Sequence, residues 1–271
     1  HTTTTTTTTT TTITSGEPDE NGDLYEHEQD DHNYEGHDRD ETQKQHRPRS
    51  SQSGRRRMSC GGCKTLDFER DGDGHILSGT PYIDKKEYWD SHGVEIKAIP
   101  RSGTGYAPDK QGRIYDTSYY ALNDYYGDPD LGSPNIDCGG HGLGSGGRRH
   151  IWNTNTNNPG ANCVAQGNIL IIQESNKPYA DDNLYGGRIV FRFRYNVTLQ
   201  QVGFMDIVEN SGYYCKITMN DGTVHRHEIV GYGKNSLSTM EFDMEHVTKL
   251  EVHLLGPGAI RFVAFCHDCG E

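Results

Sequence analysis

The sequence predicts an all-β fold, a β-sandwich or jelly roll of about 8–10 strands, preceded by an extended N-terminal arm. Short apolar or β-branched runs recur after residue 59 between clusters of Gly, Asn, Asp and Pro. No window carries a sustained helical stripe of apolar residues, and only Asp84–Ser91 suggests a short helix. Residues 1–58, in contrast, lack the apolar side chains of a core. We therefore divide the chain into an arm, 1–58, and a β domain, 59–271.

Periodicity and turn chemistry define the strands. Ile189, Phe191 and Phe193 alternate with arginines save at Val190, which is the period of two of a half-buried strand. Asn220-Asp221-Gly222 lies between two such runs, and Asp-Gly supplies the positive φ of a tight hairpin turn. The predicted strands are Thr65–Phe68, Val94–Ile99, Asn168–Gln173, Gly187–Tyr195, Val202–Ile207, Tyr213–Met219, Val224–Ile229, Leu250–Leu255 and Ala259–Phe265. A Gly- and Asn-rich segment, 116–163, is too long for an idle connection, so we expect it to bind something or to be held by crosslinks or ions.

The arm has too few apolar residues to fold alone. It holds 12 acidic and 7 basic residues, with the acids concentrated between Glu17 and Glu41. Its apolar side chains are Ile13, Leu24, Tyr25, Tyr34 and Met58. Their burial does not offset the entropy of ordering the backbone. The arm is therefore either a disordered tail or a segment ordered by something outside its own domain.

The arm opens with a threonine run that predicts covalent glycans. Dense Thr is the usual substrate for O-glycosylation in secreted stalks. Asn196-Val197-Thr198 adds one N-glycosylation sequon. The predicted glycan positions are Asn196 and Thr2, Thr3, Thr4, Thr5, Thr6, Thr7, Thr8, Thr9, Thr10, Thr11 and Thr12.

Composition predicts an extracellular or cell-surface location. Seven Cys residues and a first residue, His1, that is not Met are typical of a mature secreted chain. The net charge of -13 argues against a nucleic-acid partner, which needs a basic footprint. No stretch approaches the roughly 18 consecutive apolar residues of a membrane span.

The cysteines suggest crosslinks. Two C-x-x-C pairs bracket the β domain, and they predict either disulfides between the first and last strands or a zinc site, with disulfides favoured. Cys138 and Cys163 bracket part of the long loop and are expected to pair. Cys215 is left over, as a buried free thiol or an intermolecular link. The disulfide candidates are Cys60, Cys63, Cys138, Cys163, Cys266 and Cys269.

Closely spaced loop carboxylates predict calcium, because Ca²⁺ prefers six to eight oxygen ligands. The candidate ligands are Asp128, Asp130, Asp182 and Asp206, with Asn183 beside Asp182. Asp71 and Asp73 open like an EF-hand loop, but Tyr82 stands where that loop needs Glu. We therefore expect Asp71 and Asp73 to cap a turn.

An ordered set of motifs resembles a known group. They are Leu-Asp-Phe-Glu (66–69), Gly-Thr-Pro-Tyr-Ile (79–83), Tyr-Trp-Asp-Ser-His-Gly-Val-Glu-Ile (88–96), Ile-Tyr-Asp-Thr-Ser (114–118), Asp-Pro-Asp-Leu-Gly-Ser-Pro (128–134), Gly-Asn-Ile-Leu-Ile-Ile-Gln-Glu (167–174), Asp-Asp-Asn (181–183), Gly-Gly-Arg-Ile-Val-Phe-Arg-Phe (186–193) and Val-Gly-Phe-Met-Asp-Ile (202–207). Over residues 60–269 the chain resembles secreted β-sandwich surface proteins of algae and bacteria. The resemblance implies a carbohydrate-binding-like jelly roll with calcium in its loops, and no catalytic activity. Arg261 stands where such domains often carry an acid, so a calcium site on the last strand is not expected.

Catalytic motifs are not evident, and a non-enzyme is expected. An N-terminal His1 can bind copper in oxidative polysaccharide-cleaving enzymes, but here it precedes the Thr run instead of a core. Paired carboxylates for glycoside hydrolysis would have to come from Glu174, Asp182 and Asp206. The histidines His141, His150, His225 and His227 show no ligand spacing and are expected on the surface.

Two functions remain as hypotheses. The first is an extracellular structural glycoprotein, a fibre or surface-layer subunit whose arm docks on copies of itself by adding to a sheet edge. The second is a secreted calcium-dependent carbohydrate-binding module. In that module, aromatic loop residues stack on sugars, and the candidates are Tyr119, Tyr120, Tyr125, Tyr126 and Trp152.

Overall fold

A computed structural model describes residues 62–101, 112–118, 128–146, 160–175, 178–208 and 212–268, all within the predicted β domain. These residues are predominantly β, which confirms the predicted fold class. A single short helix among them, α1, spans Trp89–His92. The nine strands are β1 (Cys63–Leu66), β2 (Val94–Pro100), β3 (Gly112–Asp116), β4 (Asn168–Ile172), β5 (Gly187–Met205), β6 (Tyr214–Met219), β7 (Val224–Glu228), β8 (Leu237–Leu254) and β9 (Ala259–His267).

Two long strands join the two halves of the sheet. The order is β3-β4-β9-β5-β8-β6-β7, all antiparallel, with β1 added on β9 and β2 on β5. The first half of β5 pairs with β2 and its second half with β9, while β8 runs beside both. Register shifts between Arg192 and Gln201 mark the change of partner. Bulges of this kind bend a strand, so β5 and β8 belong to both halves.

The core lies between these halves. Ile189 and Phe191 are fully buried and Phe193 nearly so, as the alternation predicts. A Cβ on Gly112 of β3 would lie 3.6 Å from the Cβ of Ala98 on β2, although β2 and β3 do not pair. The two halves therefore pack face to face around apolar side chains, which is the sandwich arrangement.

The tight turn between β6 and β7 is also confirmed. Gly222 has φ 86°, and the Thr223 amide donates to Asp221 Oδ1 at 2.8 Å. Asp71 plays the capping role expected of it, since its Oδ1 accepts from the amides of Asp73 and His75 at 2.9 and 2.8 Å.

Two disulfides fasten the domain. Cys63 on β1 bonds to Cys266 on β9, where the two residues are direct partners, so the first and last strands are neighbours as expected. Zinc ligation by these two thiols is thereby excluded. Cys138 bonds to Cys163 within the long loop, as predicted, and Cys215 is a buried free thiol. Cys60 and Cys269 lie outside the described residues. Disulfides are typical of chains that fold in an oxidising compartment.

Within the part of the chain that the structure describes, no helix is long and apolar enough to cross a bilayer.

Candidate functional site

Aspartates from distant parts of the chain meet at one place beside the β8–β9 connection. Asp128, Asp181 and Asp182 each offer a carboxylate oxygen, and these atoms lie within 4.8 Å of one another. Asp130 and Asp206 act electrostatically on the same group. We call these five residues the acidic cluster. It unites four of the predicted calcium ligands, Asp128, Asp130, Asp182 and Asp206, and adds Asp181.

The long loop holds Asp128 just before a short turn and Asp130 within that turn. Pro129–Leu131 forms a 3₁₀ turn in which Leu131 is fully buried, which anchors the loop in a small second core. The Tyr115 hydroxyl on β3 donates to the Asp128 carbonyl at 2.7 Å. Lys234 Nζ donates to Asp130 Oδ2 at 2.9 Å. The turn therefore presents both carboxyl groups from a fixed backbone.

A second loop supplies Asp181 and Asp182. The Asp181 amide donates to Gln173 Oε1 at 3.2 Å, and the Gly258 amide donates to Asp182 Oδ2 at 2.5 Å. The Oδ1 atom of Asn183 accepts from the Tyr185 amide, and its buried Nδ2 has no hydrogen-bond partner among the described residues. The cluster thus contacts the β8–β9 turn through Gly258. Among the described residues, Arg261 forms no hydrogen bond or ion pair with the cluster.

Arg113 of β3 holds the backbone of the same loop through hydrogen bonds. This side chain is only 4% exposed, and its guanidinium donates to the carbonyls of Pro178, Tyr179 and Thr80. Five donors in a rigid fork suit this role better than a lysine ammonium. Arg113 therefore fixes the chain just before Asp181 and Asp182.

Asp206 has the least exposed side chain of the acidic cluster, with 1% exposure. It follows β5 with φ 62°, a left-handed conformation that Asp tolerates better than most residues. Its Oδ1 accepts from the Asn235 amide at 2.6 Å, while its buried Oδ2 has no hydrogen-bond partner. A buried ionised oxygen without a partner destabilises the folded state. A bound cation or a proton on this atom would remove that cost.

Burial and the neighbouring carboxyl groups together change the pKa values within the cluster. Burial, together with Asp130 and Asp182, raises the pKa of Asp206 to about 8. Burial raises the pKa of Asp182 to about 6, and burial with a hydrogen bond to Asp130 raises that of Asp128 far more. Asp130 differs: burial works against it, but hydrogen bonds with Asp128 and Lys234 hold its pKa below the ordinary value. A bound cation would reverse these shifts, because it favours the ionised forms.

A buried asparagine network supports the cluster. The Asn235 side chain donates to the carbonyls of Asp130 and Gly132 at 2.8 and 2.7 Å. Its Oδ1 accepts from Asn135 and Asn162 at 2.7 and 3.1 Å. One side chain thus joins the segments on both sides of the Cys138–Cys163 disulfide to the cluster.

The carboxylate pair considered for glycoside hydrolysis does not face an open cleft. Asp182 and Asp206 are 5% and 1% exposed. Such a pair has to flank the scissile bond of a sugar. Burial makes these two groups better suited to a cation than to a polysaccharide.

The remaining predicted sites have few described contacts or lie outside the described residues. Asn196 lies on β5, and the hydroxyl of its sequon partner Thr198 donates to Asp268 Oδ1 at 2.8 Å; glycosylation there stays a prediction. His141 Nε2 contacts the Thr117 carbonyl at 2.9 Å. Outside the described residues lie His1, His150, the Thr run, the rest of the arm and the sugar-stacking candidates Tyr119, Tyr120, Tyr125, Tyr126 and Trp152.

Sequence reasoning missed Asp181, Lys234, Asn235 and Arg113. Asp181 adjoins a predicted ligand, so its signal was present. Lys234 and Asn235 lie in a loop that the chain order separates from Asp130 by more than a hundred positions. Arg113 is a charged residue, and charged side chains are usually expected on the surface.

Comparisons with known proteins add no family. Neither a protein-family model nor a curated protein matches the chain. The resemblance to secreted algal and bacterial β-sandwich proteins stays a prediction.

Proposed function

We propose that the β domain is a calcium-binding, secreted carbohydrate-binding module. The observation that carries the proposal is Asp206, whose buried Oδ2 has no hydrogen-bond partner beside the carboxylates of Asp128, Asp130 and Asp182. A cation at the cluster would satisfy that oxygen and remove the repulsion between the carboxylates.

The donor set favours calcium over other metals. All five side chains of the acidic cluster offer oxygen, and hard oxygen donors suit Ca²⁺ and Mg²⁺, whereas Zn²⁺ prefers nitrogen and sulfur. The ligands come from irregular loops at Asp128 and Asp182 and from the end of a strand at Asp206. A site of that kind adapts to the flexible coordination of Ca²⁺ more readily than to the strict octahedron of Mg²⁺.

A calcium ion here would act as a crosslink. It would tie the long loop at Asp128 to the loop at Asp182 and to the end of β5 at Asp206. Ions that bind only the folded state stabilise it in proportion to the logarithm of their concentration. The binding surface of the module is then held in shape by the ion without the ion touching the ligand.

The carbohydrate ligand is supported by the outer surface of the sheet. Strands β2, β5, β8 and β6 form a shallow concavity of about 380 Å³ whose lining is mostly charged. A polar concavity suits a hydroxyl-rich ligand better than an apolar one. The fibre hypothesis depends on residues 1–58. These residues lie outside the described part of the chain, so the hypothesis stays a prediction.

The test is glycan binding with and without calcium. The full chain is applied to a glycan array after chelation and again with saturating calcium, beside Asp206→Asn and the control Asp137→Asn, an exposed loop aspartate. We expect sugar binding that calcium strengthens in the wild type and in the control, and that calcium leaves unchanged in Asp206→Asn. Silence towards every glycan would overturn the carbohydrate function, and binding indifferent to calcium would overturn the role of the ion.

A further inference from the structure

A basic surface covers the outer side of the sheet in this acidic protein. Its cations line the concavity formed by β2, β5, β8 and β6. They are Lys85, Lys97, Arg188, Arg192, Lys216 and Lys249, which we call the basic face. The concavity also contains Glu95 and Glu251, so the basic face keeps a surplus of four positive charges on a chain of net charge -13. Concentrating cations against the overall charge indicates a function for them.

Strand register puts these side chains on one surface. Lys97 pairs with Val190, Arg192 with Lys249, and Lys216 with Glu251. Direct partners in antiparallel strands project their side chains to the same side. Val190 lies at the floor with 7% exposure, beneath the longer charged side chains. This explains why Val190 interrupts the arginine alternation of β5.

Only half of the cations form an ion pair within the face. Lys85 pairs with Glu95 at 3.1 Å. Glu251 contacts Lys249 at 2.7 Å and Arg188 at 3.7 Å. Among the described residues, Lys97, Arg192 and Lys216 form no ion pair.

The unpaired cations are spread over the sheet. Lys97 and Lys216 occupy one cross-strand row, separated by β5 and β8. Three strand spacings put their Cα atoms about 14 Å apart. A single anionic group cannot bridge that distance, so the arrangement fits a chain with repeated negative charges.

We propose that the basic face binds an acidic polysaccharide, whose carboxylate or sulfate groups pair with Lys97, Arg192 and Lys216. This inference rests on the proposed carbohydrate-binding function and gives the class of its ligand. The aliphatic floor at Val190 and Ile99 receives the sugar rings, and the surrounding cations receive the anions.

Two other polyanions fit the surface less well. Single-stranded nucleic acids are held by aromatic stacking as well as by charge, and the residues that line the concavity include no aromatic side chain. Extended peptides often bind by adding a strand to an exposed sheet edge. Most of the basic face instead lies over β5, β8 and β6, each of which has strands paired on both sides, and among its four strands β2 alone is an edge strand.

The test uses polymers that differ in charge and in backbone chemistry. Binding of the calcium-loaded full chain is measured to dextran, dextran sulfate, polygalacturonate, polyglutamate and single-stranded DNA at several salt concentrations. We expect binding to dextran sulfate or to polygalacturonate, which separates sulfate from carboxylate recognition, and a steep loss of affinity as salt rises. Equal affinity for polyglutamate or DNA would overturn the inference, because the surface would then recognise charge alone.

Three double variants localise the binding. Lys97→Glu/Lys216→Glu is expected to weaken polysaccharide binding by tenfold or more, and Lys97→Gln/Lys216→Gln by less. Arg70→Glu/Lys86→Glu makes the same change in net charge at exposed positions outside the concavity, and should bind like the wild type. Equal losses in both glutamate pairs would contradict a localised site. Binding of neutral glycans alone would overturn this inference and leave the proposed function standing, whereas silence towards all sugars would overturn both.

Discussion

The backbone amide of Asn235 donates to the Oδ1 atom of Asp206 at 2.6 Å, and both residues hold left-handed backbone, with φ 58° and 62°. Non-glycine residues in this region carry strain that the surrounding structure must offset. Here the offset comes from hydrogen bonds of the Asn235 side chain to Asp130 and Gly132. The pair therefore fixes a buried carboxylate in a position that local sequence preference does not favour.

The acidic cluster predicts how pH affects calcium stabilisation. Because the folded-state pKa is raised to about 8 for Asp206 and to about 6 for Asp182, the metal-free folded protein holds protons that the unfolded chain has released. Its free energy of unfolding then has its full contribution from these groups below about pH 4, and loses it as pH rises towards 8. Bound calcium would displace those protons. The rise in melting temperature caused by calcium should be larger at pH 8 than at pH 5, as measured by calorimetry with chelator or saturating calcium; an equal rise at both would contradict this.

Replacing Asn235 should unfold the loop network. Asn235→Ala removes four side-chain hydrogen bonds, although Asn135, Asn162 and the Gly132 carbonyl each keep one other partner. Each lost hydrogen bond contributes about 1 kcal/mol net, so we expect a loss of a few kcal/mol in denaturant unfolding. Asn235→Gly accepts the positive φ but loses the same bonds, and should be nearly as unstable. If Asn235→Gly were as stable as the wild type, the side-chain network would not matter.

Arg113 should control calcium affinity without touching the ion. Arg113→Lys keeps the charge but loses the fork that holds Pro178, Tyr179 and Thr80. Residues that orient metal ligands typically change affinity by about 10–100-fold when replaced. We expect calcium titration of Arg113→Lys to show a weakening in that range, while the exposed control Arg101→Lys stays like the wild type. Unchanged affinity in Arg113→Lys would mean that the loop is held elsewhere.

The two disulfides should contribute unequally to stability. Cys63 and Cys266 are separated by 203 positions, and Cys138 and Cys163 by 25. In the chain-entropy account the longer loop stabilises more, by about 5 against about 3.5 kcal/mol. Replacing each pair with serine and comparing denaturant unfolding should show the larger loss for Cys63→Ser/Cys266→Ser. The reverse order would show that strain or residual structure dominates instead.

Local patterns in the sequence predict much of the sheet. Alternation at Ile189, Phe191 and Phe193 identifies the start of β5, and the bracketing cysteines identify the neighbouring first and last strands. The β3 strand was missed because Gly112–Tyr115 are all buried, so that no alternation appears. The first half of β8 carries a signal that was overlooked: Met240, Phe242 and Met244 alternate with acids and pack on the core.

The site was only partly predictable, for a physical reason. Acid spacing in a loop finds Asp128 and Asp130 because such ligands lie close in sequence. Asn235 meets Asp206 only because β5 and β8 run side by side, and no local pattern reports a long-range contact. The basic face was hidden in the same way, since Lys97, Arg192 and Lys216 come from three strands that the sequence does not place together.

Isothermal titration of the chelator-treated full chain with calcium is the direct test of calcium binding at the acidic cluster. We predict saturable binding of one ion per chain, with a dissociation constant of about 10⁻⁴–10⁻³ M, as for extracellular calcium modules. Asp206→Asn should lose this binding, and Asp137→Asn should keep it. No saturable binding by the wild type, or equal binding by Asp206→Asn, would contradict the acidic cluster as a calcium site.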